Sequence, residues 1–163
     1  MTQAVTTTQI YIMRHGQAEE LAGRDRDRAL TREGQQETRE IARWLAVQNQ
    51  VPTHALVSPY LRARQTFELV NHELRIPARQ VSTLDELTPH GDPAMVRDYL
   101  FALNQQRLSA VLIVAHMPLV SFLVELLDPR QVPPMFPTSG LALVRFDGDR
   151  GDYRGLRSPT PAY

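Results

Sequence analysis

The sequence predicts an α/β fold in which a mainly parallel central sheet carries helices on both faces. Short apolar runs, typical of strands buried on both sides, alternate along the chain with segments whose apolar residues recur at helical spacing. Neighbouring parallel strands need crossover connections, and the helical segments supply them. The length of 163 residues predicts one domain over 1–163, because two domains would each bury too little surface.

The first strand is predicted over Gln9–Met13, where the last four residues form a continuous apolar run. The polar residues 1–8 show no hydrophobic periodicity, so we expect them to be frayed. After an arginine-rich loop over 17–28, Thr31 is a candidate N-cap, because its hydroxyl can accept a hydrogen bond from a backbone N–H of the first turn. The helix that follows has apolar residues at helical spacing, namely Ile41, Ala42, Trp44 and Leu45.

The second strand is predicted over Ala55–Val57. Ser58 can cap the next helix, and Pro59 can be its first residue because proline lacks an N–H that the first turn would leave unbonded. We expect this helix to end near Leu74.

The remaining elements repeat the alternation. A helix is predicted over Pro93–Asn104, followed by a strand rich in β-branched residues over Ala110–Ala115 and a helix over Leu119–Leu127. After a proline-rich segment, Leu141–Phe146 and Asp152–Arg157 are expected to form a closing pair of strands.

Charge and composition exclude several classes of function. Lys+Arg and Asp+Glu both count 18, so the formal net charge is +0 and no global field draws the protein to nucleic acid or an anionic membrane. Any site for a polyanion must be local. The absence of cysteine excludes disulfides, thiolate metal ligands and a cysteine nucleophile. There is no signal-like start and no apolar stretch of roughly 20 residues, so we expect a cytoplasmic location.

Candidate functional residues follow the three buried strands, where ligands of open α/β sheets bind. Arg14 and His15 come directly after the first strand, and His116 comes directly after the third. Arg62 lies near the start of the helix that follows the second strand. Arginine offers phosphate oxygens a planar fork of donors, and a neutral imidazole can attack phosphorus. Gly16 allows a tight turn beside His15 and leaves room for a phosphoryl group.

Other histidines and arginines are predicted to be structural or solvated. His54 and His72 lie outside these blocks. Arginine and aspartate alternate over Arg24–Arg28, which favours a solvated loop of mixed charge. Arg64 is two positions from Arg62 and therefore points elsewhere on the helix, so we expect it at the surface.

Arg14–Gly16, Ser58–Thr66 and His116 together resemble the histidine phosphatase superfamily, and the resemblance covers the whole chain. The block Ser-Pro-x-x-Arg-Ala-x-Gln-Thr is much more specific than Arg-His-Gly alone. The resemblance implies a phosphoglycerate-mutase-like fold. Three further segments are similar to the short phosphohistidine phosphatases of the SixA type: Tyr11–Gly16, Leu84–Asp92 and Pro133–Phe136.

The resemblance implies a metal-independent phosphatase that needs no cofactor. His15 would be the nucleophile and would carry a phosphohistidine intermediate that water then hydrolyses. Arg14, Arg62 and His116 would bind the phosphoryl oxygens, and Gly16 would form part of the phosphate pocket. The implied substrate is phosphohistidine on a partner protein, in a phosphorelay or phosphocarrier domain of a signal-transduction system.

The position of a general acid stays open. Family members that act on phosphate esters use a carboxylic acid to protonate the leaving oxygen, and Glu86 is the best positional match. Asp85 and His90 are close enough in sequence to compete. A phosphohistidine substrate eases the need for an acid, because imidazole leaves more readily than an alkoxide.

Two other functions compete with this interpretation. One is a phosphatase of small-molecule phosphate esters, whose activity would depend on Glu86. The mutase branch of the superfamily is disfavoured because the chain is short and lacks the long insertions that the resemblance leads one to expect around an enclosed sugar-phosphate pocket. A shallow site suits a protein substrate. The other is a non-catalytic module that binds phosphohistidine or phosphate in signalling, and such a module would release no phosphate.

Overall fold

The computed structural model describes residues 5–21 and 23–161, which form one six-stranded sheet with four α-helices. The strands are β1 (Thr8–Arg14), β2 (His54–Val57), β3 (Val81–Thr83), β4 (Ala110–Ala115), β5 (Leu141–Phe146) and β6 (Gly151–Arg157). The helices are α1 (Arg32–Ala46), α2 (Leu61–Leu74), α3 (Pro93–Gln105) and α4 (Leu119–Leu127). Short 3-10 helices span Asp25–Asp27, Ala78–Gln80 and Asp85–Leu87.

The sheet has the strand order β3-β2-β4-β1-β5-β6. The first four strands in this order run parallel, whereas β5 pairs antiparallel with β1 and with β6. Each connection within the parallel part passes through a helix: α1 joins β1 to β2, α2 joins β2 to β3, and α3 joins β3 to β4. The predicted α/β class with a mainly parallel sheet is confirmed.

Two apolar cores lie on opposite faces of the sheet, because successive side chains of a strand point to opposite sides. Ile10 and Ile12 of β1 belong to the core that α3 and α4 cover. Tyr11 and Met13 belong to the core that α1 and α2 cover. All six residues of β4 are buried, as its continuous apolar run predicts. The helices therefore cover both faces and hold the strand ends rigidly.

The helices begin and end close to their predicted residues. Thr31 caps α1 as predicted, since its hydroxyl accepts a hydrogen bond from Gly34 N at 3.0 Å. The predicted ends of α2 at Leu74 and of α4 at Leu127 are also confirmed. Across residues 5–21 and 23–161, no helix is both long and apolar enough to cross a membrane.

The start of β1 corrects one prediction. Residues 1–4 lie outside the described part of the chain, but Thr8 opens β1 with a fully buried side chain, so the prediction that it is frayed is wrong. Its hydroxyl donates to Leu108 O at 2.8 Å, and Asn104 Nδ2 donates to Thr6 O at 2.7 Å. These anchors join distant parts of the chain, and local hydropathy therefore does not reveal them.

The segment after β2 corrects a second prediction. α2 begins at Leu61 with Tyr60 as its N-cap residue, so the prediction that Ser58 caps the helix is wrong. Ser58 instead continues along β4, where its N–H donates to Val114 O at 3.0 Å. Sequence analysis also missed β3, whose three residues are partly or fully exposed at the sheet edge and show no apolar run.

Candidate active site

The carboxyl ends of β1, β2 and β4 meet in the middle of the sheet, because these strands are neighbours in the order β2-β4-β1. His15 N donates to Ala115 O at 3.0 Å, which fixes His15 beside the end of β4. His116 follows that strand directly, and the ring centroids of the two histidines are 5.0 Å apart. The strand register alone therefore brings together two residues that are 101 positions apart in the sequence.

The His15 ring is held in one tautomer. Its Nδ1 lies 2.7 Å from Gly16 O, and a carbonyl oxygen can only accept, so Nδ1 carries the proton. Nε2 therefore has a lone pair, towards which Arg62 Nε donates at 3.3 Å. Burial, together with the charges of the nearby arginines, lowers the pKa of His15 to about 4, although the hydrogen bond to Gly16 acts in the opposite direction. At neutral pH the ring is uncharged and can act as a nucleophile through Nε2.

Arg62 is buried, with 4% of its surface exposed, and it lies between His15 and a surface loop. While Nε points to His15, the far end of the guanidinium binds Asp25: Nη1 donates to Asp25 O at 2.8 Å and Nη2 to Asp25 Oδ2 at 3.2 Å. The guanidinium also lies over the Tyr60 ring, with Cζ 5.1 Å from the ring centroid. These contacts hold the planar fork of donors in one orientation.

His116 is almost fully buried and pairs with Ser58. The distance from Ser58 Oγ to His116 Nε2 is 2.7 Å, and a hydroxyl can either donate or accept here. When Ser58 donates to Nε2, the ring proton lies on Nδ1. Burial, followed by the charges of His15 and Arg62, lowers the pKa of His116 to about 2, so the ring is neutral. His116 Nδ1 has no hydrogen-bond partner within the described part of the chain.

Arg14 supplies a second buried nitrogen that has no hydrogen-bond partner among the described residues. Its Nη1 donates to Phe136 O at 2.8 Å, whereas its Nε has no partner among the described residues. Burial, followed by the charge of Arg62, lowers the pKa of Arg14. Buried polar atoms are normally hydrogen-bonded, and an oxyanion beside His15 would accept from Arg14 Nε and His116 Nδ1.

The remaining residues of the Ser58–Thr66 block hold the site loops in place. Thr66 Oγ1 accepts from Gly16 N at 3.0 Å, and Gln65 Oε1 accepts from Leu30 N at 2.8 Å. The block therefore carries Arg62 and Ser58 into the site and fastens the chain on both sides of the loop after β1.

Packing against α1 gives Gly16 a role beyond the predicted one, and the room that it would leave for a phosphoryl group stays a prediction. A Cβ at Gly16 would lie 2.7 Å from Thr38 Oγ1 and 2.8 Å from Gly34 O, both in α1. The glycine thus allows the loop to pack closely against α1. Its carbonyl, which holds His15 Nδ1, is the part that faces the candidate nucleophile.

Glu86 is not joined to the other candidate residues by any hydrogen bond. It lies half-buried in the 3-10 helix after β3, and its carboxylate has no hydrogen-bond partner in residues 5–21 and 23–161. Asp85 and His90 are both exposed. The role of a general acid stays a prediction for all three residues.

Sequence analysis missed the contribution of the loop over Arg24–Arg28. Residues 24–27 are exposed, as predicted for a solvated loop of mixed charge, but the prediction missed two contacts. Asp25 binds Arg62 directly, and Arg28 Nη1 donates to Asp25 Oδ1 at 3.0 Å. The positive charge of Arg28 also lowers the pKa of His15. Alternating charges indicate that a loop is exposed, but they do not show which helix the loop packs on. The sequence pattern therefore could not predict the contact between Asp25 and Arg62.

Comparisons with known proteins show the family of this chain. The family model of the histidine phosphatase superfamily (branch 1) matches residues 10–90. The chain is 43% identical over 152 residues to phosphohistidine phosphatase SixA of Escherichia coli (strain K12), covering 93% of this chain and 94% of that protein. The chain belongs to the histidine phosphatase superfamily.

Solved structures of the superfamily confirm the predicted fold. The structure of the protein histidine phosphatase SixA complexed with tungstate aligns with a TM-score of 0.89 at 42% identity, over 93% of this chain and 97% of that one. Phosphoglycerate mutase from Bacillus anthracis str. Sterne aligns with a TM-score of 0.72 at 13% identity, over 92% of both chains. The second match concerns the fold alone, and it bears out the phosphoglycerate-mutase-like architecture.

The tautomer and charge of His15 can be measured by nuclear magnetic resonance. Because its pKa in the folded protein is lowered to about 4, the ring becomes charged only as the pH falls through that value. The imidazole signals of His15 should therefore remain those of a neutral ring with the proton on Nδ1 from about pH 8 to about pH 5. Comparison with a His15→Gln spectrum assigns the signals, and titration near the ordinary value of about 6.5 would contradict this account.

Proposed function

We propose that this member of the histidine phosphatase superfamily is a metal-independent phosphohistidine phosphatase that acts on a partner protein. One observation carries the proposal: neutral His15 presents its Nε2 lone pair beside three nitrogen donors suited to a phosphoryl group, on Arg14, Arg62 and His116. The similarity to SixA of Escherichia coli supports phosphohistidine as the substrate.

In the first step, Arg62 Nε exchanges its hydrogen bond to His15 Nε2 for one to a phosphoryl oxygen, which frees the lone pair. Arg14 and His116 donate to the other oxygens, and the three donors stabilise the negative charge of the transferring group. His15 Nε2 forms a bond to phosphorus as the bond between phosphorus and the substrate imidazole breaks. The electron pair of the broken bond stays on the departing ring, which leaves as neutral imidazole because its second nitrogen carries a proton. Positive charge develops on the His15 ring, and Gly16 O stabilises it because this oxygen accepts from Nδ1.

In the second step, water attacks phosphorus from the side that the departed ring has left. The bond to His15 Nε2 breaks, the ring recovers its lone pair, and inorganic phosphate is released. Every group invoked in the two steps belongs to the chain, the substrate or water. No cluster of three or more His, Asp or Glu side chains suited to a metal ion occurs within residues 5–21 and 23–161.

The proposed partner is a phosphorelay or phosphocarrier domain that carries its phosphoryl group on histidine. Such a substrate suits the site because its leaving group is an imidazole, so the reaction does not depend on a strong acid at Glu86. A cytoplasmic location is part of the same proposal.

A phosphoenzyme on His15 is the direct test. When labelled phosphohistidine protein is mixed with the enzyme and quenched early, phosphate should be bound to wild type through an alkali-stable, acid-labile linkage. His15→Ala should carry no label and release almost no phosphate, whereas His72→Ala, on the exposed side of α2, should behave as wild type. Label on His15→Ala, or binding without release of phosphate by wild type, would exclude this mechanism.

Arg62 and Arg64 form a matched pair on α2. Arg62→Ala should lower kcat by about 100-fold to 1000-fold, because one preorganised donor to the transferring group is lost. Arg64 is exposed and donates to Pro59 O, so Arg64→Ala should retain the wild-type rate. Circular dichroism confirms folding of both variants. Equal rates in the two folded variants would remove Arg62 from the site.

Substitution of Glu86 distinguishes hydrolysis of phosphate esters from hydrolysis of phosphohistidine. Glu86→Gln should slow hydrolysis of a phosphate ester by about 100-fold if Glu86 protonates the leaving oxygen, and should slow phosphohistidine hydrolysis much less. Asp85→Asn provides the comparison, because Asp85 is the neighbouring carboxylate in the same 3-10 helix. Equal slowing of both substrates by Glu86→Gln would contradict this assignment.

A further inference from the structure

Asp25 is a carboxylate joined directly to the proposed site through Arg62. Within the described part of the chain, it is the only carboxylate that bonds to one of the candidate residues Arg14, His15, Arg62 and His116. Its side chain is 56% exposed, so a substrate can reach it from solvent. Hydrogen bonds from Arg28 and Arg62 hold the pKa of Asp25 below its usual value despite partial burial, and the group is a carboxylate at neutral pH.

The position of Asp25 relative to His15 follows from the two ends of Arg62. The Nε side of the guanidinium faces His15, and the Nη1 and Nη2 end faces Asp25. A phosphoryl group bound along the Nε side would therefore have His15 on one side and Asp25 beyond the far end of the arginine. In-line displacement places the leaving group opposite the attacking nitrogen. A phosphoryl group bound in this orientation would present its departing group on the side away from His15, and Asp25 is bonded to the end of Arg62 opposite the one that faces His15.

The chemistry of the departing ring requires a partner on that side. An imidazole leaves as a neutral ring only if its second nitrogen already carries a proton when the bond to phosphorus breaks. The attacking His15 ring must also keep a proton on its second nitrogen while Nε2 bonds to phosphorus. Gly16 O holds that proton in place by accepting from His15 Nδ1. The departing ring has an equivalent N–H, and a carboxylate is a strong acceptor for it.

We propose that Asp25 recognises the leaving imidazole of phosphohistidine by accepting a hydrogen bond from its protonated ring nitrogen. This inference rests on the proposed function and assigns the specificity for phosphohistidine over phosphate esters. An ester oxygen carries no such N–H, and its leaving group develops negative charge, which the Asp25 carboxylate repels. Asp25 therefore favours one class of substrate and disfavours the other.

The test compares two small substrates, free phosphohistidine and para-nitrophenyl phosphate, on the same enzyme preparations. Asp25→Asn keeps an oxygen for Arg62 but removes the charge, and it should lower the ratio of kcat/KM for phosphohistidine to kcat/KM for the ester by about tenfold, the size of one charge-assisted hydrogen bond. Asp25→Ala also removes the brace on Arg62, so both values of kcat/KM should fall, with the ratio lowered as well.

Asp27→Asn is the matched control. Asp27 lies in the same 3-10 helix, is exposed, and pairs with Arg24 instead of a candidate site residue, so its ratio should equal that of wild type. Equal loss of both activities in Asp25→Asn, with an unchanged ratio, would overturn the inference and leave Asp25 as a brace for Arg62. Wild type that hydrolyses the ester but neither free nor protein-bound phosphohistidine would overturn the proposed function itself.

Discussion

The hydrogen bond between His15 Nδ1 and Gly16 O determines which nitrogen of the candidate nucleophile is free, and much of the surrounding structure serves to keep it in place. The Gly16 backbone is held in place by two contacts: its N–H donates to Thr66 Oγ1, and its Cα packs against α1. Thr66 belongs to the same helix turn as Arg62, whose carbonyl accepts from the Thr66 hydroxyl at 2.7 Å. Nucleophile, phosphate-binding arginine and loop are therefore positioned by one connected set of bonds.

The electrostatics of the site depend on burial more than on net charge. The chain has a formal net charge of +0, yet Arg14 and Arg62 lie beside two neutral, buried histidines, where water cannot screen their charge as it does at a surface. The same burial lowers the pKa of both histidines and keeps them uncharged beside the arginines. The exposed Asp25 balances part of the positive charge from the solvent side.

Patterns among residues close in sequence were sufficient to predict most of the fold. The continuous apolar run of β4, the Thr31 cap and the ends of α2 and α4 all depend on residues within a few positions of one another. The anchored start of β1, the short edge strand β3 and the hydrogen bond that turns Ser58 towards His116 depend on contacts between distant segments. Hydropathy and capping patterns involve only residues close in sequence, so they could not predict these three features.

For the candidate site, the sequence by itself determined the fold class, the strand ends at which His15 and His116 stand, and the block that carries Arg62, because motif order and strand alternation are local properties. Only the tertiary structure decided the tautomer of His15, the pairing of Ser58 with His116 and the contact of Asp25 with Arg62. The physical reason is that hydrogen-bond geometry and desolvation arise only when β1, β4 and α2 pack together. The charge pattern of the Asp25 loop likewise does not show that the loop packs against α2.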